Sequence, residues 1–502
     1  MKRNILSLTL LMAAAFAAAG CYEDKGNYDY TELGDFFVND DGIKTSYTAA
    51  IFSLLEVSPE LVYYGNEEED LEFSWMAYNY SASSLLSEEK DLAVPVPLMP
   101  GDYSLEFRAR EKATGRITTF IYGLTVESSG SGILVLYKED GLADCGLITP
   151  RILFGDRDQD VVSYNMYTLA NPGRPMAGEP VAIGMYKDNN FQHITLLTED
   201  DGVRLSPMDM MVNETFDQWF AFPPSVVKPQ AYIAPSGVTG ANFEGSDGME
   251  YLINDGTIYA NVILFGFGSR TVYGERTMAG GYYAAPFVFQ GLGAVVSFDT
   301  QNNNLIGGGI TATTVSNIGG ELASIGKDPV YMGYGFGGSY VVNGIFRDKA
   351  PNQSKYHFYV MNLSGNLLPL SADISGYTGI SQATAFAFGR RAQLAYYAAG
   401  NAVYQIKYSY EGKTVGESAV AAWSGLAAGE TVTAMKLCPH PGRNVAADAR
   451  DKYLFVGAYN ESTKEGKVYV LEVNLETDGS VKPQPVATYG GFGRIKDFGF
   501  KF

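Results

Sequence analysis

Cysteine is nearly absent: 502 residues carry 3, at positions 21, 145 and 438. So few exclude a disulfide framework as what holds the chain together. Histidine is equally scarce, and His193, His357 and His440 stand far apart, with no His-x-x-x-His or His-x-His pair to bind zinc. Positive charge is in the minority, 36 Lys and Arg against 56 Asp and Glu, a formal net charge of −20. No clustered basic stripe offsets it, so such a surface repels a phosphate backbone and nucleic-acid binding is set aside. Beyond residue 20 no stretch reaches the roughly 18 consecutive apolar residues of a spanning helix. Long amphipathic helical periods are few as well, which argues against a helical fold.

What is abundant points the other way. Hydrophobic residues make up 46% of the chain, enough for full cores, and the 35 Tyr, 28 Phe and 57 Gly suit β-strands joined by tight turns. At this length two or more domains are expected.

The chain opens with Lys2 and Arg3, then an apolar core over 5–19 that is too short for a committed span. Ala18-Ala19-Gly20-Cys21 places small residues directly before a cysteine, the pattern of a lipoprotein signal peptide over 1–20. Cleavage before Cys21 leaves its thiol carrying lipid and its amine acylated. Several acyl chains, at about 0.8 kcal/mol per buried methylene, hold a protein on a membrane without a helix. Cys21 is then the lipidation site, palmitate-type chains its attachment, and 21–30 an acidic tether. Spacing alone does not decide whether Cys145 and Cys438 pair. Two buried free thiols on separate strands are favoured, because a lone pair makes no framework.

Residues 31–128 read as one small β-sandwich. Leu71, Phe73 and Trp75 alternate with Glu72 and Ser74, giving a strand with one apolar face. After the Pro100-Gly101-Asp102 turn, Leu105, Phe107 and Ala109 alternate with Glu106, Arg108 and Arg110. Thr114-Gly115 turns the chain again, and Phe120, Tyr122, Leu124 and Val126 carry the partner strand. About 100 residues of short antiparallel strands around a buried Trp fit an immunoglobulin-like sandwich. Trp75 is expected in its core.

Cys21-Tyr22-Glu23-Asp24-Lys25-Gly26-Asn27-Tyr28-Asp29-Tyr30 resembles the opening of the PKD-like surface lipoproteins of Bacteroidetes. Phe73-x-Trp75, Pro100-Gly101-x-Tyr103 and Leu124-x-Val126 extend the resemblance to the PKD-like domain itself. It implies that the acidic residues after Cys21 direct the chain to the outer face of the outer membrane. It also implies a spacer role for the sandwich and a gene neighbourhood with a TonB-dependent transporter and its SusD-like lipoprotein.

Ser128-Ser129-Gly130-Ser131-Gly132 is a flexible break, and the second domain is expected over 129–502. There the chain falls into units of roughly 40–50 residues, each a few short strands separated by turn residues, which is a β-propeller signature. Ile133 to Tyr137 opens the first unit, and a lone strand from Ile495 to Phe502 follows the last. Pairing of these two would close the ring and leave no open edge. The fold class is therefore all-β, an Ig/PKD-like sandwich followed by a propeller of about seven blades. No Trp-Asp series and no Ser-x-Asp-x-Gly-x-Thr-Trp turn assigns it to a propeller family with a named blade motif.

Catalytic signals are thin. No Gly-x-Ser-x-Gly elbow occurs; Gly337-Gly338-Ser339-Tyr340-Val341 lacks the final Gly. Asp156, Asp158 and Asp160 alternate as calcium ligands do, yet Val161 stands at the sixth position and Tyr167 at the twelfth, so a solvated acidic turn is the expected reading and Ca2+ the weak alternative. Gly266-Phe267-Gly268 and the run from Gly333 to Gly338 lack the lysine of a phosphate cradle and fit close packing of strands. Trp219, Phe220, Tyr282 and Tyr283 lie between expected strands, where flat rings could stack on sugars or grip peptide side chains. Packing between blades is the competing reading.

Two functions follow as expectations. One is a non-enzymatic outer-membrane lipoprotein facing outward, an accessory of a TonB-dependent, SusCD-like uptake system that holds oligopeptide or glycan. The other is a surface glycan hydrolase or lyase with carboxylates from several blades around the channel.

Overall fold

The computed structural model describes residues 35–501 apart from 40–43, 65–66, 155–158, 188–191, 234–248, 263–271, 292–293, 310, 338–339, 364–367, 418–420 and 439–448. Cys21 and the acidic tether lie outside the described residues.

The N-terminal domain is a sandwich whose larger layer has five strands. Leu71–Tyr78 pairs with Gly101–Glu111, which pairs with Ile117–Glu127; Ser83–Ser87 and Ser46–Ala50 form the edges, the latter in parallel. Two short ladders, Asp35–Val38 with Leu61–Tyr64 and Leu54–Val57 with Leu92–Pro95, make the opposing layer. The alternation of Leu105, Phe107 and Ala109 drives this arrangement, since each turns inward and all three are buried. Trp75 is fully enclosed, tilted against Phe107 with centroids 4.8 Å apart, and its indole N–H donates to the Lys90 carbonyl at 3.0 Å. It is core, as its strand pattern implies.

The second domain is a propeller of seven four-stranded blades. Blade 1 is composite: Arg494–Lys501 is its inner strand, followed outward by Gly132–Glu139, Leu142–Thr149 and Val161–Ser163. The inner strands of blades 2 to 7 are Pro180–Lys187, Pro229–Ile233, Ala284–Gly291, Lys327–Tyr334, Ala383–Phe388 and Glu430–Leu437. In each, three further strands follow outward in chain order, every pair antiparallel. The last strand thus closes the ring against the first, with Val135 opposite Phe498. Phe498 is fully buried, in a cluster that also holds Val135 and Phe455 and so joins blade 1 to blade 7. Inner strands approach closely at Gly499, where a β-carbon would sit 2.8 Å from the Ile183 carbonyl oxygen, so only glycine fits.

The break between the domains differs from expectation. Ser129 is buried; the Lys501 ammonium, itself buried, donates to its carbonyl at 2.5 Å and its hydroxyl at 2.6 Å. Thr149 Oγ1 donates to the Ser131 carbonyl at 2.8 Å. Nearby, the Tyr164 amide donates to the Phe52 carbonyl at 3.2 Å and Ser163 Oγ to the Ile51 carbonyl at 3.2 Å. One apolar cluster runs from Trp75 and Phe52 through to Leu134, Tyr167 and Met210. The Ser-Gly composition suggests freedom, but these contacts and the shared core lock the joint.

Cys145 and Cys438 are free thiols and both are buried. Burial pushes the Cys145 thiol well above its ordinary value, so it is inert as a nucleophile. No helix among the described residues is long and apolar enough to cross a membrane.

Candidate binding site at the mouth of the propeller

In every blade the inner strand starts at one end of the ring and finishes at the other. The strand Arg494–Lys501 fixes which end is which: Lys501 meets the sandwich joint, and Arg494 lies at the far end. Eight residues at about 3.3 Å each separate the two ends by roughly 25 Å. At the far end the ring holds a cavity of about 500 Å³.

Four neighbouring blades build its wall. Blade 1 supplies Arg494 and Lys496 from its inner strand and Lys138 from the strand beside it, where Lys138 stands opposite Arg494. Arg494 and Lys496 are exposed while Ile495 between them is buried, and Lys496 is the extra residue of a bulge, where the ladder passes from Ile495 opposite Tyr137 to Asp497 opposite Leu136. Glu179 and Pro180 enter from the start of blade 2. Thr431 and Thr433 come from blade 7, and Gln382 and Thr384 from blade 6. Thr384 Oγ1 donates to the Val432 carbonyl at 2.9 Å and stitches blades 6 and 7 together at the rim.

The charges at the mouth are partly matched. Lys138 pairs with Glu179, and Arg494 with Glu461, whose side chain is exposed. The Arg494 guanidinium also lies 5.4 Å from the Tyr459 ring centroid. Deeper along the same strands, the Lys436 ammonium sits 3.3 Å from Asp497 Oδ1, and Asp497 Oδ2 accepts the Ile183 amide at 3.3 Å. Burial, with Asp497 adding to it, pushes the Tyr331 phenol up to about 12. This tyrosine stacks on Phe386 with centroids 5.2 Å apart.

The residues singled out from sequence fall elsewhere. Trp219 and Phe220 are interior, at 0% and 6% exposure, packed with Leu197, Leu252 and Tyr273 between blades 2 and 3. This corrects the idea of an aromatic platform: the turn Phe216–Trp219, capped through Thr215, tucks the indole beneath Arg204. The ring that does reach solvent in this run is Phe222, at 89% exposure. Tyr282 and Tyr283 are half-buried with engaged hydroxyls. Tyr282 accepts from the Ile258 amide at 2.9 Å and donates to the Arg276 carbonyl at 2.7 Å; Tyr283 donates to Asp255 at 3.2 Å. The Tyr283 ring fills the space beside Gly256, whose φ of +72° and lack of a side chain both suit that contact. These four rings pack blades together and do not converge on the mouth.

Of the acidic trio, Asp156 and Asp158 lie outside the described residues. Asp160 accepts from the Tyr489 hydroxyl at 2.7 Å and the Arg151 amide at 2.6 Å, a structural acceptor's role. Among the described residues no group of three or more His, Cys, Asp or Glu side chains comes together. His440 and Gly266-Phe267-Gly268 also lie outside; Gly333 meets Phe388 of the next blade, as close packing requires.

A buried network of charges sits between blades 2 and 3. Glu250 is fully buried and accepts four bonds: from Tyr232 Oη at 2.6 Å, Arg204 Nη2 at 2.7 Å, Asn261 Nδ2 at 2.9 Å, and the paired His193 Nε2 at 2.8 Å. Burial alone would raise its pKa, but the Arg204 guanidinium and His193 outweigh that and hold it well below the carboxylate range. Arg204 also pairs with Glu214 at 2.9 Å and lies between the rings of Trp219 and Tyr273. His193 is thus bound to a carboxylate inside a sheet, and His357 likewise meets Asp348 at 2.8 Å.

The profile of the PKD-like family matches residues 21–180. The match spans the tether, the sandwich and the first strands of the propeller, about a third of the chain. No curated protein sequence matches. Among solved structures, a quinoprotein alcohol dehydrogenase-like protein from Bacteroides thetaiotaomicron is 12% identical, with a TM-score of 0.43 over 92% of this chain and 98% of that one. The extracellular domain of a one-component system from the same organism is 9% identical, with a TM-score of 0.37 over 85% and 65%. AztD from Citrobacter koseri is 11% identical, with a TM-score of 0.30 over 84% and 99%. Likeness this distant says nothing of chemistry, and the count of seven blades rests on this chain's own sheets.

Proposed function

We propose that the chain is an outer-membrane lipoprotein facing the cell exterior, lipidated at Cys21, whose sandwich is a spacer and whose propeller is a non-enzymatic capture head. In this reading it is an accessory of a TonB-dependent, SusCD-like uptake system and holds oligopeptide or glycan. One observation carries the proposal: the mouth cavity opens at the end of the propeller opposite the joint with the sandwich. A head held by its N-terminal side would then present that cavity away from the membrane. The packed joint supports the spacer role, because a stiff connection keeps the orientation. The PKD-like match, which begins at residue 21, is consistent with a mature chain starting there.

The alternative, a glycan hydrolase, calls for two carboxyl groups flanking the scissile bond, about 5–9.5 Å apart according to mechanism. Among the described residues lining the mouth, Glu179 is the single carboxylate and it is engaged by Lys138. That lining suits holding a ligand better than cleaving one.

The test is co-purification. A tagged chain isolated from detergent-solubilised outer membranes should bring a β-barrel transporter with it, and recovery of the lipoprotein alone would remove the uptake reading. Protease added to intact cells should degrade the head; full protection would place it on the inner side.

A further inference from the structure

We infer that the mouth cavity recognises a negatively charged oligopeptide, with Lys496 and Arg494 as the groups that meet its carboxylates. The inference deepens the capture reading and rests on it.

The sign of the charge at the mouth is opposite to that of the chain. In a chain with 36 basic and 56 acidic residues, the described residues lining this cavity include three cations and one carboxylate, and with Glu461 beside Arg494 the balance is still one positive charge. The inversion is local, and low-dielectric walls around a cleft focus such a field. Lys138 is matched by Glu179. Arg494 is held by Glu461, an exposed partner, and exposed pairs of this kind are weak enough for an incoming carboxylate to displace. Lys496 is exposed and makes no ion pair among the described residues. Arg494 and Lys496 are both exposed on one strand with buried Ile495 between them, and their backbone positions stand roughly 7 Å apart. That matches the reach of carboxylates on one peptide.

Thr431, exposed at the rim, offers a hydroxyl to peptide amides and carbonyls, whereas the Thr433 hydroxyl already donates to the Gly457 carbonyl at 3.3 Å and keeps its acceptor side for an amide. No aromatic ring stands among the described lining residues, so among them a sugar face has nothing flat to stack on. A peptide is therefore favoured over an acidic glycan.

The experiment uses the full lipoprotein in detergent micelles and calorimetric titration with three probes: tetraglutamate, tetraglutamine and an oligogalacturonate of equal length. Tetraglutamate should bind, and its affinity should fall as salt is raised. Lys496→Gln and Arg494→Gln should each weaken it by about tenfold, the worth of one hydrogen bond to a charged group. Lys496→Gln breaks no ion pair within the described residues, so its thermal midpoint should match the parent. Equal binding of tetraglutamine, indifference to salt, or full affinity in both variants would overturn the inference. Preference for oligogalacturonate would also overturn it, in favour of an acidic glycan. Acidic-peptide binding without transporter co-purification would leave this inference standing and remove only the uptake role; the converse result would do the opposite.

Discussion

Glu250→Gln should destabilise the propeller far more than its conservative shape suggests. The carboxylate takes two donors on each oxygen: Tyr232 and His193 on Oε1, Arg204 and Asn261 on Oε2. A glutamine has one acceptor oxygen, so it keeps one of these pairs and turns its own N–H groups toward the other. Two bonds are lost, and the Arg204 guanidinium, whose side chain is 6% exposed, is left with Glu214 as its remaining carboxylate. Leaving a buried charge short of its partner costs about 3–5 kcal/mol. Two lost bonds to a charged acceptor, at about 1.5–3 kcal/mol each, give the same scale.

The natural reporter is Trp219, which lies 5.1 Å beneath the Arg204 guanidinium. Fluorine-labelled tryptophan gives separate signals for Trp75 in the sandwich, Trp219 between blades 2 and 3, and Trp423. Urea titration should move the Trp219 transition of the variant to lower denaturant while Trp75 responds less. Arg204→Met in the same chain removes the orphaned charge, so the double variant should cost less than the sum of the singles by about 1–3 kcal/mol. The pH dependence has a definite sign. Folding lowers the Glu250 pKa, so its contribution is complete above the ordinary value of 4.5 and is lost as pH falls toward the folded value. The gap between wild type and Glu250→Gln should therefore persist through neutral pH and shrink in acid. An unchanged midpoint, strict additivity, or a gap that widens in acid would refute the reasoning.

Asp451→Asn should behave in the opposite way. Burial raises the pKa of this carboxyl, and one oxygen accepts both the Arg390 amide at 2.6 Å and the Arg391 amide at 2.5 Å. An asparagine carbonyl keeps both bonds without a buried charge, so thermal melts at neutral pH should show little loss or a gain. Because the folded pKa is raised, the wild type should lose stability relative to this variant as pH rises from below 3.8 through the folded value. Phe498→Ala removes a fully buried ring at the ring-closing strand and should cost about 3–5 kcal/mol, read as faster proteolysis of the C-terminal strand. Native protein should react with a thiol reagent at neither Cys145 nor Cys438, and unfolding should expose both.

The architecture was legible because propellers write their period into turn residues. Asp201-Gly202, Asn254-Asp255-Gly256 and Gly400-Asn401 mark hairpins of blades 2, 3 and 6, and the unpartnered strand after residue 494 implied the closure that Val135 and Phe498 complete. Outer strands such as Gly274–Glu275 and Ser316–Asn317 escaped notice, since two residues paired on one side carry no alternation. So did Pro229–Ile233, an inner strand opened by a proline. The aromatic run at Trp219 misled for a physical reason: a capped turn buries a ring that a loop would display, and sequence does not distinguish the two. The mouth was illegible because its walls come from Lys138, Glu179, Thr384, Thr431 and Lys496. No motif joins positions so distant; only strand order does.

One strand ties these features together. Arg494–Lys501 is the last element in sequence and the innermost of its blade. At one end Arg494 and Lys496 line the mouth; midway Asp497 meets Lys436 and Phe498 fills the seam with blade 7; at the other end Lys501 holds Ser129 at the joint. Closure of the ring, the charge of the mouth and the fixing of the sandwich therefore depend on the same eight residues. Because closure buries Phe498 and Lys501 together, a chain lacking the strand loses its blade 1 seam and the Lys501–Ser129 contact at the joint in one step. Until that strand is in place, the cavity lacks Arg494 and Lys496, two of its three cations. The orientation of the mouth relative to the sandwich is then tied to ring closure through Lys501, which holds both the carbonyl and the hydroxyl of Ser129 in the linker.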